Sequence, residues 1–320
     1  MKLFRQILSL VLLAACFAAF DIAIYNTITK KYINHNSEAM QARSIELDKY
    51  LPFDDASQIA RVDSSLKLSG ELPVADGAAA LYPVFSAFVG ATYPEESVSF
   101  DGTDFLPGSA LRFSNTKGAY KAIVDGDADI VFCAKPSEEQ LAYAEENGVE
   151  LKLVPIGCEA FVFIVNKDNP VDDLTVDEVR GIYSGKYTRW SQVGGDDTSI
   201  DALQRSEGSG SQTAMISFMN GEEMVRNPLG IAGRSIGYSF RYYVSGIVEN
   251  GGVKMLSLNG VYPDEASIAD GSYPIVSNFY AVCRADDNQP NIELLIDWIL
   301  SDEGQQIVKE SGYVPLHPID

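Results

Sequence analysis

Three regimes of apolar patterning divide the 320-residue chain. Residues 7–20 are apolar apart from Ser9 and follow the cations Lys2 and Arg5. Residues 26–70 are polar, mixed in charge and weakly periodic. A short helix is expected at 37–50, then a loop through Pro52-Phe53-Asp54-Asp55. From Glu71 onward, short apolar runs of strand length alternate with runs at helical spacing. Helices are expected at 84–89, 119–124 and 138–147, the last stopped by Gly148. Strands are expected at 97–100, 129–134, 151–156 and 160–166. This β-α-β-α order predicts an α/β fold, a mostly parallel sheet covered by helices.

Composition narrows the class. The apolar fraction of 46% and aromatic fraction of 10% are those of a globular protein with a core. Lys and Arg number 24 against 45 Asp and Glu, a net charge of −21. Nucleic acid as a partner is excluded, because it needs a basic face. A small anion is not, because a secluded site selects by local donors. Four cysteines without a CxxC pair and only two histidines, His35 and His317, predict no metal site and no cofactor. Cys133 and Cys158 lie in strand-like runs and are expected as free thiols.

Residues 1–25 read as a targeting or anchoring segment. Leu13-Ala14-Ala15-Cys16 resembles a bacterial lipobox, which makes Cys16 a lipidation candidate. The residues after it stay apolar, which tells against a lipobox, and an uncleaved signal anchor is the second reading. Either places the remainder outside the cytoplasmic membrane, tethered through its N-terminus. A buried core helix is the third reading.

One stretch carries candidate chemistry. Leu203–Met219 begins at the end of an expected strand and passes Arg205. It turns through Glu207-Gly208-Ser209-Gly210-Ser211 and enters a helix marked by Ala214, Met215, Phe218 and Met219. A helix start leaves N–H groups unpaired and attracts anions. Arg205 adds a forked, permanent cation, and Ser209 and Ser211 add hydroxyls. The plainer alternative is a serine helix cap beside a solvated Arg205. Similar junctions occur at residues 79–83 and 114–118. In open parallel sheets, such junctions gather beyond the carboxyl ends of the strands.

Several runs together resemble the PstS-type phosphate-binding proteins. They are Gly126-Asp127-Ala128-Asp129-Ile130-Val131, Val154-Pro155-Ile156-Gly157, Ile182-Tyr183-Ser184-Gly185-Lys186 with Trp190, Arg205 through Gln212, Ile236-Gly237-Tyr238, and Gly312-Tyr313-Val314-Pro315-Leu316. The resemblance implies a two-lobed type II periplasmic-binding-protein fold with two crossover strands. It puts lobe one at 71–157 plus 276–320 and lobe two at 158–275; residues 26–70, from their polar pattern, are expected to form a tether with some packing of its own. The resemblance also implies a monomer that performs no catalysis. Its role would be to capture phosphate or a related oxyanion for an ABC-type permease.

The implied ligand contacts are Arg205, Ser209, Gly210 and Ser211 from lobe two. Asn115, Thr116 and the backbone of Leu81 or Tyr82 would come from lobe one. Two positions depart from the family. Leu81 stands where a threonine is usual, and Ala134 where an aspartate accepts the ligand's proton. Lys117 and Lys135 are candidate compensating charges. These departures motivate an alternative, a membrane-tethered sensor or interaction module with a degenerate pocket. An esterase with Ser209 as nucleophile is a third reading, but no activating base falls in a motif.

Overall fold

The computed structural model describes residues 45–225, 234–247 and 252–319. The expected N-terminal segment 1–25, with Cys16, lies outside the described residues, as does the first part of the expected helix at 37–50. The described end of that helix is a single 3-10 turn, Leu47–Tyr50.

The main sheet is built around two long strands. Strand β3, Leu151–Asn166, joins what the sequence suggests are two strands into one. At about 3.3 Å per residue it runs roughly 50 Å, long enough to serve two cores. Its first half pairs antiparallel with β9, Val276–Arg284, from Leu151↔Arg284 to Ala160↔Val276. Its second half pairs antiparallel with β6, Ser235–Phe240, and with β7, Val253–Met255. Parallel pairing occurs toward the two edges. There β1, Ala75–Gly77, lies beside β2, Ile130–Cys133, and β5, Asp201–Ala202, lies beside β6. The strand order is β1-β2-β9-β3-β6-β5. A small parallel pair, β4 (Asp173–Leu174) with β8 (Ser257–Leu258), stands apart.

The two-residue period of a strand divides the first core into two layers. In β2, Ile130 and Phe132 face one side and Val131 and Cys133 the other. Helices α1 (Tyr82–Thr92), α7 (Pro290–Leu300) and α8 (Asp302–Glu310) cover the Phe132 side. There Phe85 stacks on Phe132 and Phe88 meets Trp298 edge-on. Helix α2, Asn115–Asp125, covers the opposite side with Ala119, Tyr120 and Ile123, next to α3, Glu138–Glu146. A second core gathers around Phe161, Phe163, Tyr183, Trp190, Met215 and Tyr238. It is covered by α4 (Val176–Tyr183), α5 (Gly210–Met219) and α6 (Glu265–Ala269).

Residues 45–70 pack on the first core. Ile45, Tyr50, Ile59 and Leu68 are buried in the first core. The segment is fastened to α1 by Leu68 N–H donating to Thr92 O (2.8 Å) and by Ser86 Oγ donating to Tyr50 O. Ser65 binds Glu303 at the start of α8.

The strand expected at 97–100 is absent. Pro94 opens a 3-10 turn, Glu95–Ser97, and only an isolated bridge joins Phe100 to Phe105. A proline followed by two acids favours a tight turn over a ladder. Where β3 passes from Pro155 to Gly157 its register with β9 shifts. A Cβ on Gly157 would lie 2.3 Å from Phe279 Cζ, so the strand passes here only because the side chain is missing. Cys133 and Cys283 are buried free thiols, and Cys158 is half-buried.

Candidate functional site

The loop after β5 is held at both ends by one glutamine. Leu203 N–H donates to Ile236 O (3.0 Å) and prolongs the β5–β6 pairing. Arg205 N–H donates to Gln212 Oε1 and is also within reach of Tyr238 OH, both at 3.0 Å. Tyr238 OH in turn donates to Gln212 Oε1. Ser209 caps α5: its Oγ accepts from Gln212 N–H (3.2 Å) and donates to Ser206 O (2.9 Å). The Ser209 hydroxyl is therefore occupied by the cap. At the start of α5, Gly210 N–H and Ser211 N–H make no hydrogen bond among the described residues. Ser211 is buried against the cleft.

Arg205 is half-buried in the cleft wall. Its guanidinium has neither a hydrogen bond nor a carboxylate partner among the described residues. Burial pulls its pKa down, and nearby Tyr243 and Tyr238 oppose that shift. Guanidinium remains charged regardless. A cation withdrawn from water without a counter-charge is costly, and an incoming anion relieves that cost.

A second helix start faces this loop. Asp76, fully buried at the end of β1, takes Ser114 N–H (2.8 Å) and Ser114 Oγ–H (2.5 Å), and also binds Gly77 N–H (2.7 Å). Burial raises its pKa, and the bonds from Ser114 and Gly77 work against the rise. The carboxylate sets the entry angle of α2. Asn115 takes a left-handed φ of 61° there. Asn115 N–H and Thr116 N–H are left open toward the cleft.

The third junction is displaced from its expected residues. Leu81 N–H donates to Ala78 O (2.9 Å), and Tyr82 N–H donates to Ala79 O, so neither is available to a ligand. Tyr82 is fully buried away from the cleft, edge-on to Phe85 and Phe113. Leu81 lines the cleft through its side chain only. The cause is a 3-10 turn, Ala79–Leu81, inserted before α1. It moves the open N–H groups back to Ala79 and Ala80. Tyr313 OH donates to Ala80 O and pins this turn.

The junctions meet across the cleft. A Cβ built on Gly210 would sit 3.4 Å from Ala134 Cβ and 3.6 Å from Thr116 Oγ1. Gln140 Nε2 donates to Gly208 O (3.2 Å) from the opposite wall. The cleft has a volume of about 1260 Å³. Lys117 stands exposed at the rim with its Nζ 3.9 Å from Glu139. Lys135 is exposed and does not line the cleft.

Three residues of the site escape sequence reasoning: Asp76, Gln212 as a fastener, and Glu159. Glu159 is 4% exposed and also lines the cleft. Its Oε1 accepts from Ala160 N–H (3.0 Å) and its Oε2 from Tyr242 N–H (3.2 Å). Burial pushes its pKa up to about 8, against the two backbone bonds and the charge of Arg241. The usable signal for Asp76 and Glu159 is the same, an acid inside an apolar strand run.

A model of the PBP superfamily domain matches residues 71–303. The chain belongs to the PBP superfamily. It is 26% identical over 263 residues to the Phosphate-binding protein PstS of Bacillus subtilis, covering 78% of this chain and 82% of that protein. It is 27% identical over 178 residues to the Phosphate-binding protein PstS of Borreliella burgdorferi. That match spans 49% of this chain and only 63% of that protein. Among solved structures, a putative phosphate ABC transporter substrate-binding protein with bound phosphate from Clostridium perfringens superimposes with a TM-score of 0.57 at 23% identity. The superposition covers 76% of this chain and 99% of that one. The PstS-type resemblance seen in the motifs holds, and with it the type II two-lobed fold. A superfamily of binding proteins places the chain among solute-binding proteins rather than enzymes.

Proposed function

We propose that this protein captures phosphate or a related oxyanion in the cleft and delivers it to an ABC-type permease. The observation that carries the reading is Arg205, a cation facing the cleft without a carboxylate partner among the described residues. Residues with open N–H groups at the starts of α2 and α5 and of the 79–81 turn line the same cleft. In this reading Arg205, Gly210, Ser211, Asn115 and Thr116 hold the anion, with Ala79 and Ala80 replacing Leu81 and Tyr82. Ser209 acts through its cap. Lobes 71–157 plus 276–320 and 158–275 close over the ligand about β3 and β9, as hinged binding proteins do.

The same reading places the protein outside the cytoplasmic membrane, as a monomer anchored by residues 1–25 through lipidated Cys16 or a signal anchor. No helix among the described residues is long and apolar enough to cross a membrane. Intact-mass analysis of the purified membrane form distinguishes the two anchors, since lipidation requires loss of Met1.

Ala134 favours weak discrimination between anions. A carboxylate there would reward a protonated phosphate and repel sulfate. A methyl group does neither. The sensor alternative rests on this substitution and on Leu81. Calorimetric titration with phosphate, sulfate and chloride tests the assignment. Phosphate binding that chloride does not mimic supports capture. A folded protein that binds none of these anions favours the sensor.

A further inference from the structure

The cleft is larger than its anion clamp needs. The walls already touch at one edge, where Gln140 reaches Gly208 and Gly210 lies against Thr116 and Ala134. The cleft as a whole, this contact and its open rim included, measures about 1260 Å³. Cavities for drug-sized ligands run about 300–1,000 Å³. A tetrahedral oxyanion of five heavy atoms fills a small part of it.

The excess has a definite chemistry. Where β3 and β9 pair, Glu159, Asn278 and Phe279 line it, and the aromatic residues Tyr243, Tyr313 and Phe240 line it as well. Glu159 is the acid of this lining. Its two oxygens each accept one backbone N–H, which leaves about half of a carboxylate's acceptor capacity open. Asn278 accepts a contact from Cys158 Sγ at 3.3 Å. Arg241, the basic group felt by Glu159, is directed to Gly312 O and Glu265 instead. Aromatic faces and a buried carboxylate are the two features that hold an ammonium group. Burial holds Glu159 above the usual carboxylate range, as expected for an acid that lacks a close counter-cation.

We propose that this lining forms a second subsite, which takes the organic arm of a phosphonate or phosphate monoester ending in an ammonium group. The anion head lies at Arg205 and the helix starts, and the ammonium lies against Glu159. The inference rests on the anion-capture reading and adds to it the identity of the ligand's other end. Leu81, whose side chain lines the same cleft, suits contact with an alkyl arm better than the family's threonine.

Calorimetry on the intact protein at pH 9, above the value of about 8 to which burial pushes Glu159, decides it, with inorganic phosphate, ethylphosphonate and 2-aminoethylphosphonate as probes. The expected result is that 2-aminoethylphosphonate binds about tenfold or more tighter than ethylphosphonate, a difference a desolvated charge pair readily supplies. Glu159→Gln, of the same shape, should bring that ratio to about one. A ratio near one in the parent protein overturns the proposal, and so does an unchanged ratio in the folded variant. Should the variant not fold, the parent's ratio alone decides. Binding of inorganic phosphate without preference for the ammonium arm sinks the subsite and leaves anion capture intact. Binding of none of the three sinks both.

Discussion

Arg205→Ala should move ligand affinity and the stability of the empty protein in opposite directions. In the empty cleft the guanidinium is half-buried and unpaired among the described residues, so its removal relieves a desolvation cost. The expected change in apo stability is neutral to stabilising, within about 1 kcal/mol. With anion present, the same change removes a charge-assisted, forked contact worth about 1.5–3 kcal/mol. That is a loss of roughly 10- to 150-fold in affinity. Thermal melts with and without phosphate read both quantities in one experiment, because ligand raises Tm by mass action. The parent should show a phosphate-dependent rise in Tm that the variant largely loses, while their ligand-free melting temperatures agree or the variant's is higher. A variant that keeps the parent's phosphate shift refutes the reasoning. So does one that melts much earlier without ligand, since Arg205 would then be structural.

Three further expectations follow from the geometry. Glu159 has a folded pKa of about 8, above its unfolded value of 4.5, so the folded state holds the proton more tightly. Its stabilising contribution is complete below pH 4.5 and is lost as pH rises through 8. The loss is on the order of 4–5 kcal/mol at most, at 1.36 kcal/mol per pKa unit. Urea melts between pH 5 and 9 should show that decline in the parent and flatten in Glu159→Gln. Gly157→Ala places a Cβ 2.3 Å from Phe279 Cζ, where overpacking costs about 1–3 kcal/mol. A urea midpoint equal to the parent's would contradict the packing of β3 on β9. Ala134→Asp puts a carboxylate into the cleft beside Gly210, and the phosphate-to-sulfate affinity ratio should rise at least about tenfold. An unchanged ratio in competition titrations would place the anion elsewhere.

Much of this fold is legible in residue spacing because its elements carry their own boundary signals. Ser137 with Gln140 and Thr175 with Glu178 form capping boxes that open α3 and α4. The apolar stripe of Ile292, Leu295, Ile296 and Ile299, at helical spacing, forms the buried face of α7. The misses have physical causes. Pro155 and Gly157 suggest a break between two strands, yet long-range pairing with β9 carries β3 through as a bulge. At the third junction, Pro83 marks a helix start correctly, but whether a 3-10 turn precedes it depends on Tyr313 reaching back to Ala80. That contact spans most of the chain. Ser209 stands before the helix as its sequence suggests, and its hydroxyl is spent there, because a serine in this place either caps the helix or serves a ligand, and here it caps. Asp76 and Glu159 require knowledge of burial, which spacing does not carry.

The central claim is that Arg205 and the open amides of separate helix starts serve one anion. A crystal structure of the protein soaked with selenate or arsenate, located by anomalous scattering, tests it most directly. One anomalous peak is expected within hydrogen-bond reach of Arg205, with Gly210 and Ser211 N–H on one side and Asn115 and Thr116 N–H on the other. A peak away from Arg205, or an occupied anion touching only one wall, would contradict the account.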